Sequence, residues 1–181
     1  MSIKTMTTIK QERLKEFIRD IPDFPKKGIL FKDITPLLKD RDAFQTAVSL
    51  LANHFADRKI EQVVGIESRG FIFGSAVAYK LKAGFVPIRK KGKLPSVTEK
   101  IPYQLEYGED ILEIHQDSFK KGARILVIDD LLATGGTASA VASLVQRIGG
   151  CIDGLGFVIE LTFLHGRDKL QGFPIHSLIQ Y

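Results

Sequence analysis

A chain of 181 residues, 44% hydrophobic and 26% charged, is long enough to bury a real core and is expected to form one domain over residues 1–181. A single cysteine excludes an intrachain disulfide scaffold, and no run approaches the ~18–20 apolar residues of a membrane span. The net charge of +5 points to an anionic partner only where the bases cluster, which they do over residues 80–100. The first ten residues are polar and lack the apolar stretch of a signal peptide, so a cytoplasmic location is expected, with no membrane partner. Cys151 opens an expected strand and reads as a small buried hydrophobe. The four histidines show no ligand spacing, which argues against zinc.

Residues 9–19 read as a first helix with Leu14, Phe17 and Ile18 on its apolar side. Residues 20–36 hold three prolines and a glycine and are expected to form an irregular, functional loop. Asp40 can cap a helix running to about residue 56, with Phe44, Val48, Leu51 and Phe55 on one face. Residues 62–66 read as a strand. Glu67-Ser-Arg-Gly70 then turns into a small-residue helix through residue 79, and a strand follows at 85–88. Residues 80–100 hold seven bases against one acid, Glu99, which suits a polyanion. Gly92, Pro95 and Pro102 make this a loop, and without interleaved aromatics or a recognition helix it does not suit nucleic acid. Residues 103–107 and 111–115 alternate and can pair as a hairpin across Gly108. Strands at 125–128, 151–161 and 177–181 complete an α/β pattern: a mainly parallel twisted sheet flanked by helices, with ligands at the C-terminal strand ends.

The most informative stretch is residues 125–137, Ile-Leu-Val-Ile-Asp-Asp-Leu-Leu-Ala-Thr-Gly-Gly-Thr. A buried strand delivers Asp129 and Asp130 to its exit from the sheet. A turn of Ala133, Thr134, Gly135, Gly136 and Thr137 then starts a helix with Ala138, Val141, Val145 and Ile148 on one face. Glycines that accept φ > 0 let successive N–H groups point at one anion, and the helix N-terminus adds its dipole. Thr134 and Thr137 can donate hydroxyl bonds to that anion or simply cap the helix. The turn is not a Walker A loop, and Gly154-Leu-Gly156 lacks the third glycine of a dinucleotide fingerprint.

This pattern resembles the phosphoribosyl pyrophosphate (PRPP) motif of the type I phosphoribosyltransferases. Further segments resemble the adenine-specific members: Phe24-Pro-x-x-Gly-x-x-Phe-Lys-Asp-Ile, Gly65-x-Glu-Ser-Arg-Gly-Phe, Ile88-Arg-Lys-x-Gly-Lys-Leu-Pro, Leu105-Glu-Tyr-Gly108 and Glu160-Leu-Thr. The resemblance implies a small hood at about residues 1–36, a flexible loop at about 94–116 and a homodimer. The implied reaction converts adenine and PRPP to AMP and pyrophosphate with Mg²⁺, the ion held mainly by substrate and water oxygens. Ala133 stands where hypoxanthine-guanine relatives place an acid, and Thr134-Gly-Gly where xanthine relatives carry Asn-Gly-Gln; both differences lean toward adenine.

Residue by residue, the resemblance puts Asp129 and Asp130 on the ribose hydroxyls, where they also stabilise the positive sugar of the transition state. The turn from Ala133 to Thr137 takes the 5′-phosphate. Ser68 and Arg69 correspond to the pyrophosphate loop, in which a non-proline cis peptide is usual, and Arg89, Lys90 and Lys93 to bases reaching pyrophosphate. Glu106 corresponds to a general acid/base, although alternation alone makes it an exposed strand residue, and Tyr107 can close over the site. Phe31 and Leu161 resemble the pair that sandwiches adenine, with the backbone of Leu30 and Lys32 reading its edge. A phosphoribosyltransferase for another purine base is one rival reading and a PRPP-sensing regulator the other; DNA-binding relatives of the latter append a winged helix, for which about 20 residues ahead of Ile21 leave no room.

Overall fold

Aliphatic and β-branched runs at residues 62–66, 125–128 and 155–159 become three adjacent inner strands of a seven-stranded sheet. The computed structural model describes residues 10–105 and 108–181, and the chain divides into two units, up to Leu50 and from Leu51 to Tyr181.

In the first unit a 3₁₀ segment, Gln11–Phe17, stands where a longer helix was expected, and it buries only Leu14. Residues 20–36 are not irregular throughout. β1 (Arg19–Pro22) pairs antiparallel with β2 (Leu30–Asp33), aligning Asp20 with Lys32 and Pro22 with Leu30. The prolines allow this because Pro22 ends its strand and Pro25 lies in the connection, so neither removes an interior ladder donor. Asp23 at φ 56° and Gly28 at φ 89° turn the chain between the strands, and Gly28 N–H donates to Asp23 Oδ1 at 2.6 Å. α1 (Thr35–Lys39) carries Pro36 in its first turn. Asp40 Oδ1 caps α2 (Arg41–His54) as expected, accepting the N–H groups of Asp42 and Ala43 at 3.1 and 2.8 Å.

The second unit comprises β3 (Gln62–Ile66), α3 (Gly70–Leu81), β4 (Gly84–Lys90), β5 (Thr98–Leu105), β6 (Gly108–His115), β7 (Arg124–Leu132), α4 (Gly136–Arg147), β8 (Cys151–Glu160) and β9 (Ile175–Gln180). Strand order is β5-β6-β4-β3-β7-β8-β9. The five strands from β4 to β9 in that order run parallel, and β6 pairs antiparallel with both β4 and β5. The sheet is therefore mainly parallel and helix-flanked, as its alternating pattern predicts. Val64, Ile66, Ile88, Ile125, Val127, Leu155 and Phe157 pack with Val141, Leu144 and Val145 of α4 in one core. A side chain at Gly154 would collide with the ring of Phe55, so the glycines of β8 serve packing, not a nucleotide.

Three expectations need correction here. The hairpin expected from residues 103–107 and 111–115 is present as β5 and β6 but is longer than expected: its register runs from Thr98↔His115 to Leu105↔Gly108, with Gly108 opening β6, so strands occupy most of the stretch that the resemblance made a loop at 94–116. Pro102 is tolerated because β5 is an edge strand. Within the basic stretch, Arg89 and Lys90 end β4 and are not in a loop. Cys151 is exposed, because β8 becomes buried only from Gly154 onward. No helix among the described residues is long and apolar enough to cross a membrane.

Candidate active site

The site arises where β7 outlasts its neighbour. β3 pairs with β7 as far as Gly65↔Ile128, whereas β8 stays paired through Leu132↔Glu160. Asp129 and Asp130 thus remain strand residues on the β8 side instead of leaving the sheet outright. On the other side, where β3 has stopped, the sheet opens into a cavity of about 570 Å³. Glu67, Ser68 and Arg69 line it from the turn after β3, Lys90 and Lys93 from the end of β4, and Tyr103 from β5. Asp129, Asp130 and the whole turn from Ala133 to Thr137 complete the wall. This is the C-terminal edge of the parallel strands, where ligand sites of open α/β sheets are found.

The acid pair is crowded. Asp129 Oδ1 accepts the N–H of Asp130 at 2.9 Å. Burial first, and then the charge of Asp130, pushes the Asp129 carboxyl well above the usual range. Burial also raises Asp130, against the opposing pull of Arg69, whose Nε lies 2.9 Å from Asp130 Oδ2. That contact is an ion pair without a well-aimed hydrogen bond, so the buried Oδ2 has no hydrogen-bond donor. Two carboxylates held this close favour a cationic or hydroxyl-bearing ligand.

The turn from Ala133 to Thr137 is shaped by its backbone. Gly135 is the N-cap of α4 at φ 76°, and no side chain caps that helix, so Thr134 and Thr137 do not take the capping role. The first N–H groups of an α-helix have no intrahelical acceptor, and here they border the cavity. A Cβ on Gly135 would strike the carbonyl of Gly166, and one on Gly166 would strike the carbonyl of Ala133.

The cations are held by acids. Glu67, nearly buried, accepts Lys93 Nζ at 2.6 Å, Lys90 N–H at 2.9 Å and Arg89 Nε at 3.4 Å. Burial raises its pKa, but the Lys93, Lys90 and Arg89 donors outweigh it and hold Glu67 at about 2. Lys90 Nζ lies 3.3 Å from Asp110 Oδ2. The Tyr103 phenol beside Asp110 is pushed up by burial and then by that acid. The Glu67–Ser68 peptide is cis, in the turn where the sequence led one to expect a non-proline cis bond.

The fold thus brings Ser68, Arg69, Lys90, Lys93, Asp129, Asp130 and residues 133–137 around one cavity. Arg89 stands outside the lining and bonds Glu67 and the Lys93 carbonyl. Leu161 is buried at the end of β8, its N–H bonded to Leu132, and is also outside the lining. Leu30, Phe31 and Lys32 form β2 of the first unit, where Lys32 Nζ is paired with Asp20 at 2.6 Å and Phe31 meets Phe24 edge to face. Glu106 and Tyr107 lie outside the described residues. Sequence reasoning assigned no role to Glu67, Tyr103 or Gly166. Glu67 stood inside a quoted motif, whereas nothing local marked the other two.

The profile of the phosphoribosyl transferase domain matches residues 35–172. An adenine phosphoribosyltransferase of Solibacter usitatus (strain Ellin6076) is 58% identical over 168 residues, covering 93% of this chain and 97% of its own. The crystal structure of adenine phosphoribosyltransferase from Thermoanaerobacter pseudethanolicus superposes with a TM-score of 0.92 at 53% identity, covering 95% of this chain and all of that one. The Saccharomyces cerevisiae enzyme, complexed with D-2,5-dideoxy-2,5-imino-altritol 1,6-bisphosphate and adenine, gives 0.89 at 39% identity over 93% and 97% of the two chains.

Proposed function

This chain belongs to the phosphoribosyltransferase family, and from that premise we propose that it transfers the 5-phosphoribosyl group of PRPP to adenine, giving AMP and pyrophosphate in purine salvage. One observation carries the reading: the acid pair, the amide-lined turn and a cationic segment share a single cavity. Each part of PRPP has a counterpart of suitable chemistry. The 5′-phosphate takes the N–H groups of residues 133–137. The ribose hydroxyls donate to Asp129 and Asp130, and the pyrophosphate takes Lys90, Lys93 and Arg69.

As the bond from C1 to the pyrophosphate oxygen breaks, its electron pair leaves with pyrophosphate and positive charge develops on the sugar. The adjacent carboxylates of Asp129 and Asp130 stabilise that charge. The bond from adenine N9 to C1 forms as N9 loses its proton, for which we assign Glu106 as general base on the family resemblance. Ala133 lines the cavity with a methyl group and can exchange no proton with a purine, which favours adenine over the oxopurines. Leu30, Phe31, Lys32, Tyr107 and Leu161 are kept as base-recognition candidates on the same resemblance.

The donor set suits Mg²⁺. Asp129 and Asp130 present carboxylate oxygens at the cavity, and Asp130 Oδ2 has no hydrogen-bond donor. Bound there through water and substrate oxygens, the ion would neutralise the leaving pyrophosphate. A cytoplasmic homodimer accompanies this reading by resemblance. Pyrophosphate release measured with adenine, hypoxanthine, guanine and xanthine tests the function: adenine should be turned over far faster than the others, and equal or better turnover of hypoxanthine would refute the base assignment.

A further inference from the structure

A carboxylate on the wall of a polyanion site demands an explanation, because it repels the ligand that its neighbours attract. Glu67 is such a group: its side chain is only 9% exposed and it lines the cavity beside Lys90 and Lys93. All the bonds it makes to the segment 89–93 serve to shape that segment. Oε1 takes Lys93 Nζ, while Oε2 takes the Lys90 N–H and Arg89 Nε. Arg89 in turn donates to the Lys93 carbonyl at 3.2 Å, closing a ring of contacts around the turn.

A second acid grips the same turn from the opposite side. Glu113 of β6 accepts the Gly92 N–H at 3.1 Å and is itself paired with Lys100 at 2.8 Å. Gly92 adopts φ 77°, a conformation that favours glycine in the turn between Lys90 and Lys93, both of which line the cavity.

We propose that Glu67 is a positioning residue for pyrophosphate: it holds the Lys93 ammonium and the Lys90 backbone at the cavity wall and yields Lys93 to the entering polyanion. The asymmetry of exposure supports the exchange. The Lys93 side chain is 47% exposed and can swing to a ligand at little cost, whereas the sheltered carboxylate keeps Lys90 N–H and Arg89 when Lys93 leaves. The Lys90 N–H and Arg89 donors, which also lower the Glu67 pKa against burial, stay in place when Lys93 leaves and favour a charged carboxylate that can recapture it. A new ligand bond is thus formed by trading one ion pair for another, and release of pyrophosphate restores the first.

This inference rests on the function proposed above, and the test separates the two. Inorganic pyrophosphate in Mg²⁺ buffer is titrated calorimetrically into the wild type, Glu67→Gln, Lys93→Ala and the double variant, with steady-state kinetics in PRPP alongside. Glu67→Gln should weaken pyrophosphate binding at least about tenfold, the low end for a bond between charged groups. It should raise KM for PRPP more than it lowers kcat, and Glu67→Asp should recover part of the loss. In the Lys93→Ala background the same substitution should cost at least about threefold less than in the wild type, what remains being the share that acts through the Lys90 backbone. Binding by Glu67→Gln within about twofold of wild type, or an undiminished loss in the Lys93→Ala background, would overturn the positioning role. If Glu67→Gln does not melt cooperatively, Glu67→Asp replaces it in the same cycle: a loss of more than about twofold that shrinks in the Lys93→Ala background supports the role, and binding within about twofold of wild type overturns it. A wild type that binds neither pyrophosphate nor PRPP would instead overturn the proposed function.

Discussion

Gly135 and Gly166 face each other so closely that neither has room for a side chain: a Cβ on Gly135 meets the Gly166 carbonyl, and a Cβ on Gly166 meets that of Ala133. The turn at residues 133–137 is therefore backed by the start of the 3₁₀ segment Gly166–Leu170, and its shape depends on a residue 31 positions away.

Gly135→Val and Gly166→Ala are both expected to distort the cradle and to reduce PRPP affinity more than Thr137→Ala does. The threonine change removes one hydroxyl donor to a charged phosphate, a loss on the order of 1–3 kcal/mol. Gly135→Val also forces a β-branched residue to φ 76°. Calorimetry with PRPP orders the three; a larger loss in Thr137→Ala would mean that the hydroxyl, not the backbone, carries the phosphate.

Arg167 grips Glu160 with two bonds, Nε to Oε1 at 2.6 Å and Nη2 to Oε2 at 2.7 Å, and so ties the end of β8 to the segment beginning at Gly166. The Arg167 bond holds Glu160 below its ordinary pKa of 4.5, against burial, which acts in the opposite direction. Arg167→Met leaves a buried carboxylate with Gln180 as a weak donor at 3.3 Å. Because Arg167 is itself 42% exposed, about 1–3 kcal/mol of stability should be lost at neutral pH. A depressed carboxylate pKa stabilises the fold above its unfolded value and ceases to do so as pH falls through the folded one. The gap between wild type and variant in urea unfolding should therefore be full at pH 7 and shrink below about 4.5; a gap independent of pH would remove the ion pair as its cause.

Glu106→Gln keeps size and hydrogen bonding but loses basicity. If Glu106 takes the adenine proton, kcat should fall at least about tenfold, at the cautious edge of the range for general acid–base help. PRPP binding should persist, because its cradle and acid pair lie on other segments. Single-turnover kinetics decide the matter, since slow product release can hide a chemical defect. An unchanged single-turnover rate would leave catalysis to Asp129, Asp130 and positioning.

A homodimer is the expected assembly, and sedimentation at working concentration checks it. Full activity from a species that sediments as a monomer would remove the dimer from the account.

Local chemistry makes much of this protein legible in its sequence. Strand and helix periods are properties of a few consecutive residues, so β3, α2, β7, α4 and β8 could be placed within a few positions. The acid pair and the glycine turn are likewise contiguous, and with the family resemblance they carried the proposal of a phosphate cradle at 133–137 without help from distant segments. What the tertiary structure decided lies between residues far apart in the chain. Glu67 meets Lys93 because parallel pairing of β3 and β4 sets their C-terminal ends side by side, after a helix has separated them in sequence. The cavity itself exists because β3 stops pairing at Ile128 while β8 continues to Leu132, a difference of register that no single segment encodes. The β1–β2 ribbon, and the extension of the expected β5–β6 hairpin back through Pro102 to Thr98, were hidden by prolines whose cost depends on whether a ladder partner is present, and that is known only when the sheet is assembled. Glycine 166 carries no local signal, because its requirement for hydrogen at Cα comes from the backbone of Ala133 across the fold.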